Sequence, residues 1–148
     1  MSVTGDVPEH DHVVKAGKTE LSLADLVQLQ PGLARLMPEV GVRVWKCWYA
    51  GQARNQRLAR FQLKEAVNLL KLGAMTRPKY RDDLDAYIGT SVARVMAAIE
   101  APDWDAFDAE FTRLVDEAND YHEKYDKGFL VWKVPDAPPP DLDMTPRE

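Results

Sequence analysis

The residue with the clearest chemical potential in this sequence is His122, which follows Tyr121 near the end of the last predicted helix. An imidazole titrates near neutral pH, so it can serve as an acid, a base or a metal ligand. The dipole of a helix C-terminus also stabilises the protonated ring. Two interpretations stay open for His122: a functional group, or an ordinary exposed histidine in a C-terminal turn.

A second group of candidate residues lies where one predicted helix gives way to the next. Trp48 and Tyr49 share a helix face and could line an aromatic pocket, or they could belong to an ordinary core. Gln52, Arg54 and Asn55 could hold a ligand, or they could satisfy one another as interior polar groups. In a catalytic site, Tyr121, Arg54 and Asn55 would orient a polar or anionic substrate for His122.

The usual metal and nucleophile motifs do not occur in the sequence. Glu9, His10, Asp11 and His12 include metal-ligand types, but we expect them to lie in a solvated tail. A di-iron bundle needs Glu-x-x-His pairs, in which the histidine follows the glutamate by three positions, whereas His122 follows Glu117 by five. Phosphate-binding glycine loops and serine-hydrolase motifs are missing too. The sequence therefore predicts no metal site.

The spacing of apolar residues predicts the helices that must position these side chains. Four stripes recur every three or four residues, within 33–48, 58–72, 84–99 and 107–125. A short leading helix is predicted over 22–30. Asp103 is the expected N-cap of the last helix, and Gly73 the expected stop of the second long one. Pro38 should kink or restart the first long helix, and Cys47 should be buried as a small hydrophobe.

These elements predict an all-α fold, an antiparallel four-helix bundle with disordered or extended tails. The bundle should occupy residues 21–132. Residues 1–20 should form a flexible tail because they are polar and lack periodicity. Residues 133–148 should form a proline-rich tail, because proline rings fix φ and remove amide donors. No segment is predicted to build a sheet.

Charge and composition exclude several classes of protein. The chain has 148 residues, one cysteine and a formal net charge of −5, with a pI near 5.2. That acidity argues against nucleic-acid binding, and no apolar run is long enough for a membrane span. The start of the sequence does not resemble a secretory signal, so we expect a cytoplasmic protein. Basic residues within 42–64 and acidic residues within 82–126 should attract each other between packed helices or subunits.

Two stretches of the sequence look familiar together. One is Trp48-Tyr49-Ala50-Gly51-Gln52-Ala53-Arg54-Asn55, and the other is Ala118-Asn119-Asp120-Tyr121-His122, followed by Phe129, Trp132 and the proline tail. They resemble a group of four-helix-bundle c-type cytochromes related to the cytochrome c′ class. In that group Cys-x-x-Cys-His on the last helix attaches haem and supplies the axial histidine.

The resemblance bears on the cofactor. His122 matches the histidine of the attachment motif, but Ala118 and Tyr121 occupy the two cysteine positions. Covalent haem is therefore excluded, whereas non-covalent haem stays open and the cofactor is unknown. The resemblance also adds Trp132 to the expected ligand-binding residues, which are then Trp48, Tyr49, Gln52, Tyr121, His122 and Trp132.

Three functions are compatible with these observations. The first is a bundle that binds a small molecule, either non-covalent haem or a flat aromatic compound. The second is a cofactor-free enzyme that uses His122 as general acid or base. The third is a structural or interaction module. We expect a homodimer in each case, since bundles commonly pair about a two-fold axis.

Overall fold

The computed structural model describes residues 13–148, and most of that segment is helical. Four helical segments connected by short loops carry the core. The elements are β1 Val13–Ala16, β2 Thr19–Ser22, α1 Leu23–Leu29, α2 Leu33–Gln52, α3 Gln56–Thr76, α4 Arg81–Tyr87, a π-helical turn Ile88–Val92, α5 Ala93–Glu100 and α6 Trp104–Lys124. The α4, π and α5 pieces follow one another directly and form the third of the four segments.

The start of the described chain differs from the expected tail, because it forms an antiparallel hairpin. Val13 pairs with Ser22 and Ala16 pairs with Thr19, which leaves a two-residue turn. Gly17 takes a φ of +64° in that turn, a conformation that glycine adopts without steric cost. The fold is thus mainly helical with one small sheet. The rest of the expected tail, including the Glu9–His12 candidate metal ligands, lies outside the described residues.

Helix boundaries follow the predicted stripes with two corrections. The helix α2 continues through Pro38, so the proline does not restart it, and the expected kink stays a prediction. The helix α3 continues past Gly73 to Thr76, so Gly73 is not its stop. A Cβ on Gly73 would lie 2.7 Å from a methyl carbon of Leu33, so the glycine permits close packing of α2 on α3.

Two other sequence predictions are confirmed. The Asp103 side chain accepts a hydrogen bond from the Ala106 amide at 3.1 Å, as an N-cap does. Cys47 is fully buried, and burial raises the pKa of its thiol because the thiolate would lose its hydration.

The core lies between α2, α3, α5 and α6. Its largest fully buried side chains are Phe107, Phe111, Leu63, Ile99 and Leu114. Trp48 packs on the rings of Phe107 and Phe111, with centroid distances of 5.9 Å and 5.0 Å. Aromatic burial of this kind supplies much of the hydrophobic stabilisation of a small domain.

Charged side chains connect the helices at their surface. Arg60 of α3 forms a two-pronged ion pair with Glu100 of α5, as the opposed charges of the sequence predict. Arg94 bridges Glu110 and Glu117 of α6 at 2.9 Å and 2.6 Å. A hydrogen bond from the Ser91 hydroxyl holds the pKa of Glu117 below its ordinary value, with a further contribution from Arg94.

The proline-rich segment 133–148 lies against the helices in an extended form. The Trp45 indole donates to the Ala137 carbonyl at 2.8 Å, and the Tyr49 hydroxyl donates to the Pro135 carbonyl at 3.0 Å. Lys46 pairs with Asp141 at 2.7 Å. Since these partners lie on α2, the segment is anchored along that helix. Within residues 13–148, no helix combines the length and apolar character needed to cross a membrane.

Candidate functional site

A large cavity opens where the start of α2 meets α4 and the end of α6. Its volume is about 1110 Å³ and its wall is predominantly apolar. Such a size and composition are typical of sites for small organic molecules. The apolar part of the wall includes Leu33, Met37, Leu70, Leu84, Ala118, Leu130, Val131 and Trp132.

His122 lines this cavity and has a defined hydrogen bond. Its Nδ1 lies 2.7 Å from the Leu130 carbonyl oxygen. Because a carbonyl can only accept, Nδ1 carries the proton in this contact. In the neutral ring Nε2 is then the nitrogen with a free lone pair. The ring is therefore oriented as metal-ligating or proton-accepting histidines usually are.

Four tyrosines surround the same cavity. They are Tyr80, Tyr87, Tyr121 and Tyr125. Tyr87 meets Tyr121 edge to face at 5.8 Å, and its buried hydroxyl donates to the Leu114 carbonyl at 2.8 Å. Burial raises the pKa of Tyr87, so its hydroxyl remains a proton donor at neutral pH.

Asp83 is the one carboxylate in the cavity wall, counted over residues 13–148, and it is already engaged. Lys124 lies 2.7 Å from one carboxylate oxygen, and the Tyr125 hydroxyl donates to the same group. Both hydrogen bonds lower the pKa of Asp83, and the bond from Lys124 has the larger effect. The hydrogen bond from the Tyr125 hydroxyl to Asp83 also raises the pKa of Tyr125 to about 12. Asp83 thus favours the folded state above its ordinary pKa, and that contribution is lost as acidification protonates it.

Basic side chains line the cavity on the side of α2 and the α3–α4 connection. Arg77 is half-buried and donates to the carbonyls of Thr76 and Gln30 at 2.8 Å and 3.0 Å. Arg35 and Lys79 lie on the same side, whereas Lys127 lines the cavity from the chain after α6. The start of α2 is in the wall as well, with Gly32 as an N-cap that makes no side-chain hydrogen bond. The potential on this side of the cavity is therefore positive.

One wall comes from the chain that follows α6. The Asn119 amide donates to the Trp132 carbonyl at 2.9 Å, and the Trp132 amide donates to Asn119 at 2.7 Å. With the His122–Leu130 bond, these contacts fix residues 130–132 beside α6. We call residues 130–132 the wall segment.

The structure brings together only part of the predicted site. Tyr121, His122 and Trp132 all line the cavity. Arg54 instead lies over the Trp104 ring, 5.6 Å from its centroid, at the beginning of α6. Since 18 residues of α6 separate Trp104 from His122, the two ends lie about 27 Å apart. The predicted catalytic set is not assembled in one place.

The other predicted residues have structural partners at that far end. Trp48 packs in the core, and Gln52 donates to Asp108 at 2.7 Å. Tyr49 holds the proline-rich segment. Asn55 caps α3 by accepting from the Leu58 amide, and its own amide donates to the Met144 carbonyl at 3.2 Å. These four residues do not line the cavity.

Sequence reasoning missed most of the residues that line the cavity. The main omissions are Tyr80, Asp83, Tyr87, Tyr125, Arg35 and Arg77. A signal existed for some of them, because Tyr80, Asp83 and Tyr87 recur at helical spacing at the start of the predicted stripe within 84–99. No sequence signal marked Arg77, because its position depends on how the α3–α4 connection packs against α1 and α2.

Comparisons of the chain with models of protein families, with curated proteins and with solved structures found no match. Within residues 13–148, no three side chains of the metal-ligating types cluster closely enough to hold an ion. The cavity is therefore the feature of this structure that bears most directly on function.

The wall segment should loosen when Asn119 is replaced. Asn119→Ala removes two hydrogen bonds, each contributing about 1 kcal/mol, so local opening should rise by roughly tenfold or more. Trypsin cleavage after Lys127 or Lys133, which flank the wall segment, should accelerate accordingly. The control is Asp120→Ala, which changes an exposed neighbour on the same helix. Equal cleavage rates in the two variants would show that Asn119 does not hold the wall segment.

Proposed function

We propose that the protein binds a small, largely apolar molecule in the cavity between α2, α4 and α6. The observation that carries the proposal is the cavity itself, with about 1110 Å³ of space and a predominantly apolar wall. Sites for small molecules are usually clefts or cavities of about 300–1,000 Å³ with mostly apolar walls. A space this large is consistent with a ligand site.

We also infer that the four helical segments form an antiparallel bundle. Contacts between opposite helix ends support this arrangement. Gln52 at the end of α2 meets Asp108 near the start of α6. Gln56 at the start of α3 donates to the carbonyl of Ile99 near the end of α5 at 2.8 Å. In such bundles, ligand sites commonly lie between facing helices.

Non-covalent haem is one candidate occupant. The donor set fits it, because His122 has its Nδ1 proton fixed on the Leu130 carbonyl and Nε2 left as a ligand atom. Basic residues such as Arg77 would hold the propionate groups, and Tyr121 and Trp132 would pack on the flat ring. A bound haem would supply redox or gas-binding chemistry.

A catalytic role for His122 has weaker support. The hydrogen bond to Leu130 suits a general base, but Arg54 and Asn55 lie at the far end of the bundle. Any enzyme of this fold would have to use the tyrosines and basic residues of the cavity instead. The homodimer remains a prediction.

The general test fills the cavity with a neutral fluorescent probe, N-phenyl-1-naphthylamine, whose emission rises in apolar surroundings. The protein should bind about one equivalent. Ala34→Trp places a bulky ring on an exposed lining residue and should weaken binding by about tenfold or more. The matched control, Ala86→Trp, alters an exposed alanine outside the lining and should bind normally. Absence of saturable binding, or equal loss in both variants, would contradict the proposed function.

The haem test adds haem to the purified protein and follows the Soret band. Binding should saturate near one equivalent, and His122→Ala should shift the band and weaken binding because the axial ligand is lost. Gln52→Ala is the control, since Gln52 bonds Asp108 at the far end and should leave the spectrum unchanged. A saturable band that is identical in His122→Ala would remove His122 as the ligand. The absence of a saturable band would exclude haem. The small-molecule proposal would then be tested by the binding of N-phenyl-1-naphthylamine alone.

A further inference from the structure

The charges around the cavity differ in sign from those of the chain as a whole. Among residues 13–148, four basic residues line it, Arg35, Arg77, Lys79 and Lys127, and one carboxylate does, that of Asp83. The chain carries 24 acidic and 19 basic residues, for a net charge of −5. A basic lining in an acidic chain concentrates positive potential at one place.

Arg77 is the best positioned of these cations. Its guanidinium donates to the backbone carbonyls of Thr76 and Gln30, so it is held in place by neutral acceptors. Among residues 13–148 no carboxylate lies within ion-pair distance of it. The arginine is thus oriented, and within residues 13–148 it forms no ion pair. A half-buried charge of this kind favours an anionic partner.

Asp83 does not supply that partner. Its two oxygens are already within hydrogen-bond distance of Lys124, and the Tyr125 hydroxyl also donates to it. Both of these groups lie on or just after α6, and neither oxygen of Asp83 is within ion-pair distance of Arg77. The remaining basic residues also lack carboxylate partners within the described part of the chain.

Much of the wall is apolar, and Leu33, Met37, Leu70 and Leu84 line the same space. Chains and rings that are buried there gain about 25 cal/mol for each Å² removed from water. The cavity therefore combines a fixed cation with a long apolar surface. Neither feature alone selects a ligand class, but the two together do.

We propose that the ligand is an amphipathic anion, whose carboxylate or phosphate monoester pairs with Arg77 and whose apolar body lies between α2, α4 and α6. The inference rests on the proposed small-molecule function and adds the charge of the ligand to it. Arginine binds either headgroup through two parallel hydrogen bonds. Arg35 and Lys79 add long-range attraction.

The test compares three probes of the same chain length by isothermal titration calorimetry: dodecanoate, dodecyl phosphate and dodecanol, each below its aggregation concentration. At least one anion should bind about tenfold or more tightly than the alcohol, because only the anion forms charge-assisted hydrogen bonds with the arginine. The preferred anion identifies the headgroup. The preference should shrink as salt is added.

Variants then assign the preference to Arg77. Arg77→Gln should lower the affinity for the anion by about tenfold and leave that for dodecanol nearly unchanged. Arg57→Gln makes the same chemical change on an exposed residue of α3 that does not line the cavity, and it should have no effect. If Arg77→Gln strongly lowers the melting temperature, the anion affinity is measured in Arg35→Gln instead. Arg35 is exposed, and its side chain makes no hydrogen bond within residues 13–148.

The outcomes separate the two proposals. Equal binding of the alcohol and both anions would overturn the amphipathic-anion inference and leave the small-molecule function standing. An anion preference that survives in both Arg77→Gln and Arg35→Gln would overturn the assignment to these residues. Failure of all three probes and of N-phenyl-1-naphthylamine to bind would overturn the proposed function itself.

Discussion

The attachment of the wall segment to α6 is the constraint on which the site depends. The Asn119 side chain donates to the Trp132 carbonyl and accepts from the Trp132 amide, and the His122 ring donates to the Leu130 carbonyl. Without these bonds, residues 130–132 would not close the cavity, and the His122 ring would lose the contact that sets its tautomer. One pair of side chains on the last turns of α6 therefore defines both the shape of the cavity and the chemistry of its histidine.

The two ends of the helical domain have different roles. At the far end, Trp48, Phe107 and Phe111 fill the space between α2 and α6 with aromatic rings. At the cavity end, tyrosines and basic side chains surround space that is not filled. Dense packing at one end stabilises the fold, so the other end can tolerate an open cleft. This division explains how a domain of modest size can hold both a core and a cavity.

The sequence predicted the helices well because their information is local. The spacing of Leu84, Ile88, Val92, Val95 and Ile99 sets one buried face, and Asp103 caps the helix that follows. The hairpin was missed because its two strands are four residues each and only Gly17 marks the turn. Gly73 was misassigned as a stop, since the need for close packing against Leu33 is visible only in three dimensions.

The candidate site was predicted in part for a related reason. Periodicity gives the face of a helix but not which end of a neighbouring helix it meets, so Trp48, Tyr49 and Asn55 were grouped with His122. Tyr121, His122 and Trp132 do share the cavity, because short-range chain connectivity keeps them together. Arg77 and Tyr80 could not be placed, since their positions depend on how the α3–α4 connection packs against α1 and α2.

The most direct test of the account is to map bound N-phenyl-1-naphthylamine by amide NMR shifts in the isotope-labelled full-length protein. The largest shifts should fall within residues 32–38, 77–87 and 118–132, the ranges that contain most of the cavity-lining residues. Residues 48–55 at the far end should change little. Shifts centred on residues 48–55, or spread without a focus, would contradict a ligand site between α2, α4 and α6.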